Sequence, residues 1–333
     1  MGIHNLTALL KKYSPDSIQT NSLSNLRGKR LGIDASIFIY KALTTMRYNG
    51  DYLRNDKNKI VSHIVGIFYK TISYISVGAE PIFIFDGKAP EAKRDTISER
   101  NMKANLAKDN IDKVLTTEEK HKYEKQSIRL TPEYIDDIKN LLHLMGVSYI
   151  HPYGEAEAYA SELCRIGYLD YVVSEDMDTL VFGSPRMIRS CMDKSIKRNE
   201  AISIIYLDKV LNDFEMNMEE FIDMCILCGC DYCPTIKNIG CQKSYQYMKE
   251  YKSIESFIDS KNLEVSNDFL SKYKIARETF NIFKDKIKSD EIKLVESVYN
   301  KDAIENFLIS ECCMSPKRVH NSLKKIIQCS INK

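Results

Sequence analysis

Seven acidic side chains fall where apolar runs of the chain end. Asp34 closes the run 29–34, and Asp86 closes 81–86 just before Gly87. Glu155 and Glu157 open a helical pattern after the run 147–152. Asp176 and Asp178 follow the run 170–174, and Asp231 follows Gly229 beyond an apolar helix. In open α/β sheets the ligand crevice lies outside the carboxyl ends of the strands, so strand-end carboxylates converge on one rim. Seven like charges so placed repel; either some are protonated or cations sit among them. All-oxygen donors suit Mg²⁺ or Mn²⁺. Two such ions ~4 Å apart are a known device for in-line phosphodiester cleavage, one lowering the pKa of the attacking water and the other stabilising the leaving 3′ oxygen. A single Asp at a strand end is more often a helix cap, and Glu155 and Glu157 fit partners of the helix dipole. The Asp176/Asp178 pair beyond a buried strand, appearing with Asp34, Asp86 and Asp231, carries the metal reading.

The elements that must position these groups are legible as periodicity. Residues 29–34, 81–86, 147–152, 170–174, 186–190 and 201–206 read as buried strands. Helical patterns cover 62–76, Pro132–Met145 with Thr131 as N-cap, and 155–166 with a stop at Gly167. Strand–helix alternation predicts an α/β fold with a mainly parallel central sheet flanked by helices. Residues ~91–130 are rich in Lys, Arg and Glu and read as exposed helices arching over something, although the same composition fits an ordinary solvated face. After residue 256 the chain is helical and Lys-rich.

Bulk properties narrow the class. The 333 residues are 44% hydrophobic and 28% charged, which predicts a sizeable core. A net charge of +2 neither supports nor excludes nucleic acid, which needs a basic face and not a basic total. No run approaches the ~18 apolar residues of a membrane span, and no signal peptide is legible. An intracellular, soluble monomer is expected. The ten cysteines are expected to be reduced. Cys225, Cys228, Cys230, Cys233 and Cys241 crowd together, a spacing open to zinc or an iron–sulfur cluster. Cys225 and Cys228 lie in an apolar helical run without the usual paired knuckles, so packing as small hydrophobes is preferred.

Specific motifs add a resemblance. Met1-Gly2-Ile3, Ile33-Asp34-Ala35-Ser36 and Phe83-Ile84-Phe85-Asp86-Gly87-Lys88 resemble the N-terminal region of flap endonucleases. Gly154-Glu155-Ala156-Glu157-Ala158 and Ser174-Glu175-Asp176-Met177-Asp178-Thr179-Leu180 resemble the family's internal region. Gly229-Cys230-Asp231-Tyr232-Cys233 and Ile236-Lys237-Asn238-Ile239-Gly240 resemble its end, so that the likeness covers roughly residues 1–260 in order. It implies a PIN-like 5′ nuclease fold with an N-terminal nuclease region at 1–102 and a helical arch at 103–130. An internal nuclease region follows at 131–256, with a helix–two-turn–helix near 224–256, and a helical region at 257–333. Asp34, Asp86, Glu155, Glu157, Asp176, Asp178 and Asp231 would hold two Mg²⁺, with Mn²⁺ as substitute. Lys93 and Arg100, seven apart on one helix face, would contact the scissile phosphate. Tyr40 would stack on an unpaired base, Arg47, Lys70 and Arg129 would line the substrate path, and Gly2 would lie near the site. Lys237, Gly240 and Lys243 would bind a duplex phosphate beside a K⁺ ion held by turn carbonyls.

The pattern departs from the family at the turn, where Asn238 stands for Gly and Cys241 for Pro. Asn tolerates positive φ, so the turn is expected to survive. No terminal clamp-binding motif is seen, so a sliding clamp is not an expected partner. The short gap between Arg100 and Thr131, without the long insert of the excision-repair branch, and the lack of a long C-terminal extension point to the flap-cleaving branch. The expected substrate is DNA with 5′ flaps or branched junctions, in the nucleus or at a viral replication site. Three alternatives remain: an RNase with the same acidic rim, an inactive junction-binding scaffold, or a structural α/β protein whose acids are caps.

Overall fold

The apolar runs assemble into one eight-stranded sheet in a computed structural model that describes residues 2–111, 113, 116–190, 192 and 201–331. In chain order the strands are β1 (Ile18–Ser22), β2 (Arg30–Asp34), a separate hairpin of β3 (Arg47–Tyr48) and β4 (Asp51–Tyr52), β5 (Glu80–Ile84), β6 (Tyr149–Ile150), β7 (Tyr171–Val173), β8 (Arg186–Ser190), β9 (Ala201–Tyr206) and β10 (Leu294–Val295). The sheet order is β1-β9-β8-β7-β2-β5-β6-β10. From β8 to β6 the five strands run parallel. β9 and β1 extend one edge antiparallel, and β10 closes the other. Every expected strand forms. β1 was not legible because Ile-Gln-Thr-Asn-Ser has no apolar alternation and it forms by pairing along β9.

The helices are α1 (Leu6–Tyr13), α2 (Ala35–Thr45), α3 (Ser62–Ile75), α4 (Arg94–Asn110), α5 (Thr117–Ser127), α6 (Pro132–Met145), α7 (Ala156–Arg165), α8 (Asp178–Val181), α9 (Leu207–Phe214), α10 (Met218–Cys228), α11 (Cys241–Tyr251), α12 (Ile254–Lys261), α13 (Asn267–Phe280), α14 (Lys301–Glu305) and α15 (Pro316–Ile331). Alternate side chains of the central strands serve the two faces. Leu31, Ile33, Phe83 and Val173 pack with α2, α3, α6, α14 and α15, while Ile82, Ile84, Ile150 and Val172 pack with α7 and Phe283. A third apolar cluster joins α1 with α9 through α13. Thr131 caps α6 by accepting from the Tyr134 N–H, and Gly146 ends that helix in the left-handed region.

The basic segment folds as a helical hairpin, α4 and α5, with Ala104 and Ala107 buried. The divisions expected at 102/103 and 256/257 fall inside α4 and α12, whose hydrogen bonding runs across them. No described helix is long and apolar enough to cross a membrane.

One ion-paired knot ties the third cluster. Buried Asp223 on α10 receives Arg277 Nε at 2.8 Å and Nη2 at 2.7 Å, and accepts the Ile254 N–H at 3.1 Å. Arg277 also reaches Glu255. Removing the guanidinium would strand a buried carboxylate. We expect Arg277→Met to destabilise by about 3 kcal/mol in urea unfolding, and Asp223→Asn in that background to recover part of the loss. A loss below about 1 kcal/mol would show that the pair carries no such weight.

Candidate active site

The strand order decides which carboxylates meet. β7, β2 and β5 are neighbours, so Asp34 at the end of β2 stands between Asp86 beyond β5 and Asp176 beyond β7. Asp34, Asp86, Glu155, Glu157 and Asp176 line one cleft with Tyr40, Lys93 and Arg100. Asp178 adjoins it, its N–H donating to Asp176 Oδ1 at 3.2 Å. Asp231 closes the margin, with Arg100 Nη2 at 2.7 and 2.8 Å from its two oxygens and Lys93 Nζ at 3.7 Å. Lys93 Nζ also contacts Glu155 Oε1. Lys93 ends a short turn (Glu91–Lys93) just before α4, and Arg100 lies inside the helix; both reach the same carboxylate.

Capping and clustering turn out to be compatible roles. Asp34 Oδ1 accepts the Ile37 N–H at 3.1 Å as N-cap of α2, while Oδ2 accepts from Ser174 Oγ at 3.0 Å. Asp86 Oδ1 accepts the Ala156 N–H at 3.0 Å at the start of α7. Gly87 makes that approach possible: a Cβ there would collide with the backbone of Pro152 to Gly154, to which it donates its N–H at 2.8 Å. Gly2, at φ 81°, lies so close to Asp176 and Asp178 that a Cβ would overlap them.

Burial and repulsion act together on the acids. Burial first, then the charge of Asp86, push Asp34 from 3.8 up to about 7. Burial, then Asp34 and Asp86, raise Glu157 well above its usual range. Asp178 is raised likewise by burial and by Asp176 and Asp231, and Asp176 by burial. Burial alone would lower Lys93, but Glu155 and Glu157 more than reverse this and hold it protonated. Asp178 Oδ1 is buried without a hydrogen-bond partner. Hard, crowded oxygen donors with one orphaned atom fit divalent cations. Among the described residues no three acidic, thiol or imidazole groups already close on one point at ligand distance; Lys93 and Arg100 engage Glu155 and Asp231 instead.

The other expected contacts divide. Tyr40 lines the cleft, its O–H donating to the Lys125 carbonyl at 3.4 Å. The Arg47 side chain is 7% exposed, pairs with Glu124 of α5 at 3.0 Å and stacks on Tyr52. Arg129 donates to Asn105 Oδ1 at 2.7 Å and so clasps α4, while exposed enough to meet solvent. Lys70 lies outside the cleft wall, 4.6 Å from the Tyr74 ring. At the turn between α10 and α11, Asn238 takes φ 65°, the conformation expected of it. Lys237 and Gly240 are exposed there, and Lys243 Nζ donates to the Asn238 carbonyl at 2.9 Å. Cys228 and Cys241 meet with sulfurs 3.0 Å apart inside the apolar packing of α10 and α11. Tyr232 and Ser174 were missed as site residues. Their only signal is adjacency to Asp231 and Asp176 within the quoted motifs, which says nothing of where a hydroxyl points.

Two family models match the chain, the XPG N-terminal domain over residues 1–107 and the XPG I-region over 146–231. Sheet, helical hairpin and acidic cleft thus define a nuclease of the XPG type. Flap endonuclease 1 of Glycine max is 33% identical over 338 residues, covering 98% of this chain and 86% of that protein. Flap endonuclease 1 of Debaryomyces hansenii is 34% identical over 337 residues, covering 98% and 88%. The structure of flap endonuclease-1 from Methanococcus jannaschii superimposes with TM-score 0.70 at 30% identity, covering 95% of this chain and 98% of that one. The catalytic core of Rad2 in complex with DNA substrate shares the fold, with TM-score 0.74 at 21% identity over 98% and 100% of the chains. The chain belongs to the flap endonuclease 1 family.

The raised carboxylates have a consequence for stability. An acid whose folded pKa lies above its unfolded value favours folding while protonated and loses that contribution as pH rises between the two. For Asp34 the window runs from 3.8 to about 7. Asn keeps the cap on Ile37 and removes the charge. In metal-free protein, Asp34→Asn should therefore raise Tm at pH 8 and lose that advantage as the pH approaches 4. Equal Tm differences at both pH values would refute the charge-crowding account.

Proposed function

We propose that this protein is a structure-selective nuclease that cuts DNA phosphodiesters at the base of 5′ flaps, and as a 5′-3′ exonuclease at the same cleft, during replication and repair. The observation that carries this is the convergence of seven carboxylates, one with an orphaned buried oxygen, beneath a helical hairpin whose cations face them. Asp34, Asp86, Glu155 and Glu157, with Asp176, Asp178 and Asp231, would hold two Mg²⁺, with Mn²⁺ able to replace them. Ions bound there would supply an activated water and stabilisation of the leaving 3′ oxygen.

The chain's own groups do the rest. Lys93 and Arg100 turn from their carboxylates to the scissile phosphate and offset its developing charge. Tyr40 stacks on a base unpaired from the duplex, because a phosphate held between stacked bases does not reach the cleft. Lys237, Gly240 and Lys243 contact duplex phosphates, which carry little sequence information and so select by shape. The turn carbonyls would accept K⁺ once a phosphate draws Lys243 away from Asn238. Arg129, on the clasp of α4, is available to the flap.

Cleavage of a labelled double-flap DNA in Mg²⁺ tests this. Incision at the flap base should fall by at least about a hundredfold in EDTA and in Asp178→Asn, while plain duplex and single strand are cut poorly. Less than about a tenfold loss in Asp178→Asn would remove it as a ligand. Folded protein that binds the junction but never cuts would make it a scaffold, and preference for RNA flaps would make it an RNase.

A further inference from the structure

Glu155 is the N-cap residue of α7, yet its side chain makes no capping bond. Two groups outside its helix hold it instead. Lys93 Nζ contacts Oε1, and the Tyr232 O–H donates to Oε2. Tyr232 is 1% exposed, and its ring lies edge-on to Phe280 at 5.1 Å and Phe182 at 6.4 Å. Lys93 Nζ stands 5.6 Å from the centroid of that ring. One residue thus touches a carboxylate of the cleft and the cation beside it. It follows Asp231 directly in the chain, and the Asp231 carbonyl accepts from Thr96 Oγ1 at 2.7 Å at the start of α4.

We propose that Tyr232 is a positioning residue of the cleft: its O–H fixes one oxygen of Glu155 so that the other stays turned to the cleft when Lys93 leaves for a phosphate. The proposal rests on the nuclease reading above. Its physical basis is an asymmetry between the two partners of Glu155. Lys93 sits on a flexible four-carbon stem at the foot of an exposed hairpin, whereas the buried Tyr232 ring packs edge-on to Phe182 and Phe280. When Lys93 is called away, the buried carboxylate would otherwise lose both its orientation and its compensation. The phenol faces a carboxylate oxygen, which can only accept, so the O–H is the donor of this contact. The ring face gives Lys93 a second resting place, so that its departure from Oε1 does not require full exposure.

Tyr232→Phe keeps the ring and removes the O–H. Supporting partners of metal ligands typically contribute 10- to 100-fold in affinity or activity, so Mn²⁺ affinity of the DNA-free protein, measured by electron paramagnetic resonance, should fall about tenfold. The single-turnover rate at saturating Mg²⁺ should fall about as much, with double-flap affinity in Ca²⁺ unchanged within about twofold. Phe280→Leu loosens the same aromatic packing and should lower Tm while leaving Mn²⁺ affinity intact, which separates positioning from simple structure. In a Glu155→Gln background, Tyr232→Phe should add nothing further to the Mn²⁺ defect. Mn²⁺ affinity and rate of Tyr232→Phe within about twofold of the wild type would overturn the proposal, as would an equal Mn²⁺ loss in Phe280→Leu. Wild-type protein that cuts flaps while Tyr232→Phe behaves normally removes this inference alone. Wild-type protein that neither binds Mn²⁺ nor cuts removes the nuclease reading with it.

Discussion

The crowding of negative charge at the carboxyl edge of the sheet is the constraint around which the rest of the molecule is arranged. Adjacent strands β7, β2 and β5 deliver Asp176, Asp34 and Asp86 side by side, and α7 adds Glu155 and Glu157. Burial and mutual repulsion raise several of these groups above the usual carboxylate range, because the shared ionised state is unfavourable. The fold offsets this with Lys93 and Arg100, backbone N–H donors from Ile37, Ala156 and Asp178, and hydroxyls from Ser174 and Tyr232. What hydrogen bonds leave uncompensated is an electrostatic appetite for cations.

The same two cations tie the helical hairpin to the cleft. Arg100 Nη2 donates to both Asp231 carboxylate oxygens, and Thr96 Oγ1 donates to the Asp231 carbonyl. Asp231 itself sits just past the end of α10, in the segment that leads to the turn before α11. From the other side, Lys272 on α13 pairs with Asp95 at the start of α4, while Arg277 on the same helix grips Asp223 of α10. Hairpin, cleft and turn therefore share a frame of short ionic links. A nucleic acid engaging the turn and the hairpin together would meet surfaces whose separation is set by α13, which is a physical basis for selection by shape.

Several basic side chains are engaged within the protein before any substrate binds. Arg47 lies almost wholly inside, anchoring the β3–β4 hairpin to Glu124 of α5, and Arg129 clasps α4 through Asn105. Lys243 turns back onto its own loop. An arginine's planar fork meets several acceptors at once, which suits it to such internal clasps as well as to phosphates. Sequence position alone does not separate the two uses.

The line between sequence and tertiary structure follows from the range of the forces involved. Strand and helix identity was legible wherever burial imposes a period, as in the runs ending at Asp34, Asp86 and Ser174 or the capped helix after Thr131. The seven acids stood out because they recur together at the ends of apolar runs, although each alone fits a helix cap, and their motif order pointed to one family. β1 was not legible, since its pairing is supplied by β9 far along the chain. Nor was the inward use of Arg47, the continuity of α4 across residue 102, or the grip of Tyr232 on Glu155, whose residues lie 77 positions apart. The sequence by itself determined which residue types occupy the strand ends and hence the chemistry available there. Only the tertiary structure decided which of them touch, because contact depends on strand order and helix packing, and those are properties of the whole chain's burial and not of any local segment.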